Sequence, residues 1–393
     1  MRIIRYIGVP CLLIVLLQLA TYPYVFHILF NLPSDNVIDS IFFIVFFALC
    51  LIVNKKGVVP SSVIKLMAIQ SFFWLLYSIV FYDTSYLVRI FLIILTYLCI
   101  SLLCKYKDVV RYAKVNTAIF AIQGVLGVVG FILVYINVLQ PILTYYYSEF
   151  RYLNWYVITC SNATIGNFIR VGGFFDEPGA FAFWGVFALV INKITIDNRK
   201  MEIVILISLL FTFSAAYFII LPLYLLFFYH SKIKTFAIVL LVLVPVIFIA
   251  FNSLSSDDNF MALTMERFSG GEIKSSRYEL ADHTKEIFLK SPVFGVGAKE
   301  LEKDTLTTDN PYEVLAKDGV LGFVITYLPL IYLLLRFRRK PEVLYSSTIL
   351  FIDYMQRPFH INELHFFMLY FYCTVLVLKY EKEFQYNLNS INV

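Results

Sequence analysis

The residues best suited to chemistry fall in three short stretches. The first is Asn167-Phe-Ile-Arg170-Val-Gly-Gly-Phe-Phe-Asp176-Glu177-Pro178-Gly179-Ala-Phe-Ala, which runs straight into an apolar segment. Pro178 suits the first turn of a helix, where the donor it lacks would be unpaired anyway. Asp176 and Glu177 then stand at a helix N-terminus, where the macrodipole favours negative charge. Either carboxylate is a candidate general base facing a polar cavity, or both simply cap the helix. Arg170 is either an anion ligand or a cation snorkelling to the membrane interface.

The second stretch is Ser275-Ser276-Arg277-Tyr278-Glu279-Leu280-Ala281-Asp282-His283-Thr284-Lys285-Glu286-Ile287-Phe288-Leu289-Lys290-Ser291-Pro292-Val-Phe-Gly295-Val-Gly297. Ser276 and Glu279 form an S-x-x-E capping box, which predicts a helix starting there and ending before Pro292. Leu280, Ala281, Thr284, Ile287 and Phe288 share one face, an apolar stripe for packing on protein or lying on the membrane surface. Arg277 falls on the same face at the helix N-terminus, where a guanidinium beside unpaired backbone amides makes a phosphate or diphosphate site. The plainer alternative pairs it with Glu279 or Glu286 at the surface. Tyr278 and His283 join Arg277 as substrate-binding candidates, and Arg267 is a second, weaker anion ligand.

The third stretch, Thr308-Asp309-Asn310-Pro311-Tyr312-Glu313-Val-Leu-Ala-Lys317-Asp318-Gly319-Val-Leu-Gly322, leads into another apolar segment. Asp309 is a possible base or a helix cap before Pro311, and Asn310 a possible sugar-hydroxyl ligand. Near the C-terminus Asp353 lies inside an apolar run with Arg357 one helical turn away, a functional hypothesis by default or a structural pair. Tyr145, Tyr146, Tyr147, Phe150, Tyr152, Trp155 and Tyr156 crowd one region. They suit sugar stacking or the aromatic belt of a membrane interface. The histidines make no HExxH pattern, the cysteines no metal spacing, and only Cys160 falls in a candidate loop, so neither a metal site, a cofactor nor a disulfide framework is expected.

These stretches must be held by something largely buried in lipid. Of 393 residues, 60% are hydrophobic and only 15% charged, which excludes a soluble domain. A net charge of +5 is too mild to suggest nucleic acid. Apolar windows lie near 7–30, 37–53, 63–82, 86–104, 115–138, 174–192, 203–230, 235–251, 318–335, 342–357 and 364–380. The run 203–230 decides the parity. Read as two short spans broken near Ser214 to Pro222, it puts 20 of the 32 cations at one set of ends, the positive-inside pattern. The expectation is an all-α polytopic bundle of about twelve spans, a single membrane domain over 1–393 with both termini cytoplasmic. Two enlarged external loops follow, about 140–173 and 252–317.

Three motifs in this order, R-x-G-G-F-F-D-E-P-G-A-F-A, then S-R-Y-E-L…S-P-V-F-G-V-G, then D-N-P-Y-E-V-L-A-K-D-G-V-L-G, resemble the O-antigen polymerase and ligase superfamily, the Wzy-type polysaccharide polymerases. The resemblance implies a multi-pass protein of the bacterial cytoplasmic membrane, a glycosyltransferase of O-antigen, capsule or exopolysaccharide synthesis. It would join undecaprenyl-diphosphate-linked oligosaccharide repeats at the outer face, without a metal, beside membrane lipid, a flippase and a chain-length regulator. It also implies that arginines of the two external loops, Arg170, Arg267 and Arg277 here, hold the phosphate groups. Ligases of the superfamily often carry a His before the Asn of the last motif, where this chain has Asp309, which favours a polymerase over a ligase. A flippase would instead spread charges through its span interiors.

Overall fold

The computed structural model describes residues 11, 13–17, 35–53, 59–103, 106–148, 151–165, 167–229, 272–301, 303, 310, 312–356 and 363–391. Expectations that fall on Phe150, Arg267, Asp309 and Arg357 therefore lie outside the described residues, and of Tyr147, Arg277 and Tyr278 the backbone alone is described.

Apolar sequence of bilayer length folds as helices because every backbone group is then satisfied within its own segment. Asp35–Val53 (α1), Ser61–Phe81 (α2), Ser85–Leu102 (α3) and Tyr106–Tyr135 (α4) run back and forth. Pro178–Thr195 (α5), Arg199–Leu210 (α6) and Ala215–Tyr229 (α7) follow. After Glu272–Lys290 (α8) and the short Ala298–Leu301 (α9) come Glu313–Thr326 (α10), Leu328–Arg336 (α11), Pro341–Gln356 (α12) and Glu363–Ile391 (α13). Among the described residues, five helical stretches are long and apolar enough to cross a membrane.

Burial sorts these helices. Residues 180–191 of α5 and 366–377 of α13 are buried throughout, as expected of helices apolar on every side. By contrast α2 leaves Ile69, Phe72, Ile79 and Val80 exposed, and α4 leaves Ile122, Val125, Val129 and Ile132 in a stripe. Such stripes face lipid.

The two ends of the bundle differ. At one end Lys379 Nζ reaches the Glu342 carboxylate at 2.8 Å and the Ile194 carbonyl at 3.0 Å, tying α13 to the turns that carry Lys193, Arg199, Lys200 and Arg336–Lys340. Asn198 starts α6 there by accepting from the Lys200 and Met201 amides. The opposite end carries the α2–α3 turn, the strands, α8 and α9.

The run 203–230 does break, and it breaks earlier than Pro222. The chain reverses at 211–214 with Phe213 at φ 46°, while Pro222 sits inside α7. Tyr217 Oη donates to the Leu206 carbonyl at 2.7 Å, and Tyr224 and Tyr229 donate to the two carboxylate oxygens of Glu202 at 2.6 and 2.7 Å. α6 and α7 are thus an antiparallel hairpin.

Strands are the addition that apolar periodicity did not foretell. Leu143–Ser148 (β1) and Arg151–Trp155 (β2) form an antiparallel hairpin with Tyr146 opposite Tyr152, extended by Cys160–Ser161 (β3). Thr164–Ile165 (β4) and Phe168–Ile169 (β5) form a second ribbon. The same Tyr and Trp residues that suggested an aromatic belt carry strong β-propensity. Beyond the apolar spans the backbone is no longer confined to helix.

Candidate functional site

The second and third motifs build one unit. After α8 ends, Pro292–Gly297 crosses residues 316–321 of α10 in close backbone contact. Val296 N donates to Ala316 O, Gly297 N to Lys317 O and Val320 N to Pro292 O, each at 2.9 Å, and Leu321 N donates to Val293 O at 3.1 Å. Both chains need glycine where they cross. Gly295 (φ 75°) and Gly319 (φ 67°, ψ −175°) adopt backbone conformations open to glycine. A Cβ on Gly295 would stand 2.6 Å from the Asp318 amide nitrogen, and one on Gly319 2.5 Å from that of Gly295. The interruption at Gly319 lets α10 turn its carbonyls toward the loop rather than along its own axis.

Beneath the crossing lies a buried polar cluster. Arg89 Nη1 of α3 donates to Asp318 Oδ2 at 2.8 Å, with the two side chains 1% and 0% exposed. Tyr86 Oη donates to Asp318 Oδ1 at 2.9 Å and Tyr77 Oη to the Asp318 carbonyl at 2.8 Å. The guanidinium lies 4.3 Å from the Trp74 ring centroid and 4.8 Å from that of Tyr86. Tyr86 Oη also accepts from the Ala298 amide at 3.1 Å. Asp83, in the α2–α3 turn, accepts from the Ser85 and Lys299 amides at 2.9 Å each. Burial opposes the Asp83 charge, yet those amides and the Lys299 cation hold its carboxyl below the usual carboxylate value.

None of Arg89, Tyr86, Tyr77 or Trp74 was singled out from sequence. The signal for Arg89 was present: it is the charge within Ser85–Leu102, an otherwise apolar span. Its partner stands 229 residues away, beyond the reach of local pattern.

The crossing carries α8 and the start of α10 together. Ile287 and the half-buried Phe288 pack on Leu301 and Ala316, so the apolar stripe of α8 faces protein rather than lipid. Thr284, fully buried, accepts from Asn310 Nδ2 at 3.0 Å. Asn310 Oδ1 in turn accepts from Tyr312 N at 2.9 Å, so this side chain, 7% exposed, ties two segments. His283 lies half-buried beside Thr284, and Arg277 and Tyr278 lie one to two turns earlier in α8. The capping-box reading of Ser276 and Glu279 is corrected. α8 spans Glu272–Lys290, and both residues fall inside it.

Arg170, Asp176 and Glu177 belong to a different set of elements. Arg170, 5% exposed, donates from Nε to Thr212 O at 2.9 Å and from Nη2 to Phe213 O at 3.0 Å, and Val171 N donates to Phe211 O at 2.9 Å. The guanidinium therefore meets the carbonyls at the C-terminal end of α6, where a cation also complements the helix dipole. α5 begins at Pro178 as its motif predicted, with Glu177 in the N-cap position, but the Glu177 side chain makes no capping hydrogen bond. Asp176 lies close enough to Cys160 that its charge adds to the effect of burial in raising that thiol. Both carboxylate residues are half-buried. Among the aromatics, Tyr145 and Tyr146 are exposed on β1 and Tyr156 is buried at 1%. Asp353 is buried within α12.

The arrangement thus offers two clusters at one end of an apolar bundle: cation-bearing α8 with Asn310, and the Arg170–Glu177 segment bracing the α6–α7 hairpin. No curated protein and no solved structure matches the chain. A family model described as O-antigen ligase matches residues 202–327, about a third of the chain. The matched stretch takes in the α6–α7 hairpin, α8, the glycine crossing and Asp318, and stops before α11. Over that stretch the chain is similar to the O-antigen ligase family model, and its several long apolar helices agree with a multi-pass membrane protein.

Proposed function

We propose that the protein is a polysaccharide polymerase of the bacterial cytoplasmic membrane, with both termini cytoplasmic and the strand-bearing end outside. It transfers a growing glycan from its undecaprenyl diphosphate carrier to the non-reducing-end sugar of a lipid-linked repeat. The observation that carries this reading is the docking of α8 on Asn310 and the start of α10, which gathers the cationic and polar residues of two motifs at one bundle end.

The chemistry asks for charge neutralisation and positioning. An acceptor hydroxyl oxygen forms a bond to the donor's anomeric carbon as the bond to the diphosphate oxygen breaks, and the lipid diphosphate leaves with the electron pair. Arg277 and Arg267, with Arg170 as a third candidate, supply positive charge for the leaving group. One of Asp176, Glu177 and Asp309 accepts the hydroxyl proton, a role worth about 10² to 10⁴ in rate. Asn310, Tyr278 and His283 orient the sugars. The leaving group departs as a stable anion, and arginines balance its charge without a metal. A flippase that delivers the repeats and a chain-length regulator are the expected partners.

The description of the matched family favours a ligase as the second reading, which differs in its acceptor. A deletion strain separates the two. Loss of the polymerase leaves surface glycan capped at a single repeat, whereas loss of a ligase or flippase removes the single-repeat band as well. Arg277→Ala, at normal protein level, should reproduce the deletion; an unchanged ladder would return Arg277 to a surface role.

A further inference from the structure

The Arg89–Asp318 pair takes no part in the transfer just described, because neither side chain reaches solvent. It is also a costly way to join two helices. Among the described residues Arg89 Nε and Nη2 have no hydrogen-bond partner although buried, and the same holds for Trp74 Nε1. Each orphaned donor forfeits solvation that the Trp74 and Tyr86 ring faces return only in part, and well-packed apolar side chains would hold α3 against α10 at least as well. What the pair does supply is direction. The guanidinium and Tyr86 Oη fix both oxygens of one carboxylate, at the residue before the Gly319 interruption. Tyr86 then carries that placement to the Ala298 amide, and Asp83 holds the next amide, Lys299.

We propose that Arg89 is a positioning residue. From inside the membrane-spanning bundle it seats Asp318 and, through Tyr86, the 291–301 loop, and so fixes where α8 and Asn310 stand over the bundle. Its consequence for glycan length rests on the function proposed above; its consequence for the loop does not.

The test uses the full-length protein in lipid nanodiscs. Ala298→Cys places a thiol probe at a fully buried position of the loop, and its labelling by a maleimide is timed, with the background read from protein that retains Ala298. Arg89→Met/Asp318→Asn removes both charges while leaving an oxygen to accept from Tyr86, so no uncompensated charge is left to unfold the bundle. Added to the probe protein, this double substitution should make the introduced thiol label about tenfold faster, as the loop opens locally, with the main thermal transition in place. Labelling at the rate of the probe protein with Arg89 and Asp318 intact would overturn the proposal. In cells the double variant should make short glycan chains. A disulfide between Val293→Cys and Val320→Cys, on backbones joined by the Val320 and Leu321 amides, should then restore chain length by holding the loop without Arg89. A disulfide that forms without restoring length would show that Arg89 acts otherwise than by seating the loop. If deletion of the protein leaves polymer length unchanged, the function proposed above fails, and the labelling rates still decide the role of Arg89.

Discussion

Placing a side chain at the glycine crossing gives the sharpest test of how the second and third motifs are joined. In Gly295→Ala the new Cβ would stand 2.6 Å from the Asp318 amide nitrogen, against an ordinary contact of 3.4 Å or more. The two backbones must part by roughly 1 Å, which stretches the four hydrogen bonds between 292–297 and 316–321 beyond useful length. At about 1 kcal/mol each these amount to about 4 kcal/mol, and holding alanine at φ 75° adds about 1–2 kcal/mol. A total of about 5 kcal/mol is large against typical stabilities and corresponds to a fall of roughly 10 °C in Tm. Gly295→Asn separates the two causes. Asparagine tolerates positive φ but brings the same Cβ, so it should be nearly as damaging as alanine. At Gly297 the Cβ would meet the Phe81 ring at 2.8 Å, a side chain able to turn aside, so Gly297→Ala should cost a few degrees less. Thermal unfolding in detergent measures the series, and a surface-glycan gel reads its effect on chain length. A Gly295→Asn protein melting within a degree of the parent would refute the steric argument.

Three further outcomes follow from the contacts. Arg170→Gln should loosen the α6–α7 hairpin by about 2–3 kcal/mol, the usual worth of charge-assisted bonds to buried carbonyls, read as faster backbone exchange at 209–215. Asn310→Ala should cost about 1–2 kcal/mol by removing both the Thr284 bond and the bond from the Tyr312 amide; a melting curve identical to the parent's would show that the side chain ties nothing. Asp83 sets a pH dependence: its folded carboxyl titrates below the unfolded value, so its contribution is full above the ordinary carboxylate range and is lost as pH falls through the folded value. Loop protection, followed by proteolysis across that acid range, should therefore fall with pH in the parent and lose this step in Asp83→Asn.

Sequence and structure agree most closely where one physical rule acts alone. Apolar length fixed the helices, and charge at the turns singled out the break in 203–230, because burial in lipid leaves the backbone few choices. The Pro178 start of α5 and the Pro292 end of α8 were legible for the same reason, since proline's missing donor is a local constraint. The Ser276 capping box misled because the helix already runs from Glu272, which leaves Ser276 and Glu279 inside it. Arg89 and Asp318 illustrate the other limit. Each was visible as a charge, but their pairing depends on Gly295 and Gly319 crossing at full contact, a tertiary event with no period or spacing to betray it. The aromatic run at 145–156 had two readings as side chains, and the strand pairing there, a backbone event, was legible in neither.

The α6–α7 hairpin has a consequence for the lipid around it. α6 holds 12 residues between its caps Asn198 and Phe211, and Ile203, Ile207, Ile219 and Leu226 of the hairpin face outward. At about 1.5 Å per residue α6 reaches about 18 Å, against a hydrocarbon layer of about 30 Å. The shortfall is a hydrophobic mismatch confined to one sector of the protein, met by thinning the leaflet at the turn or by leaving the turn below the headgroups. In either arrangement the carbonyls of Phe211, Thr212 and Phe213 meet a medium poor in water, and Arg170 with the Val171 amide stands in for the missing solvent. The dip shortens the climb from hydrocarbon to polar surface for any lipid that carries its charge at the interface.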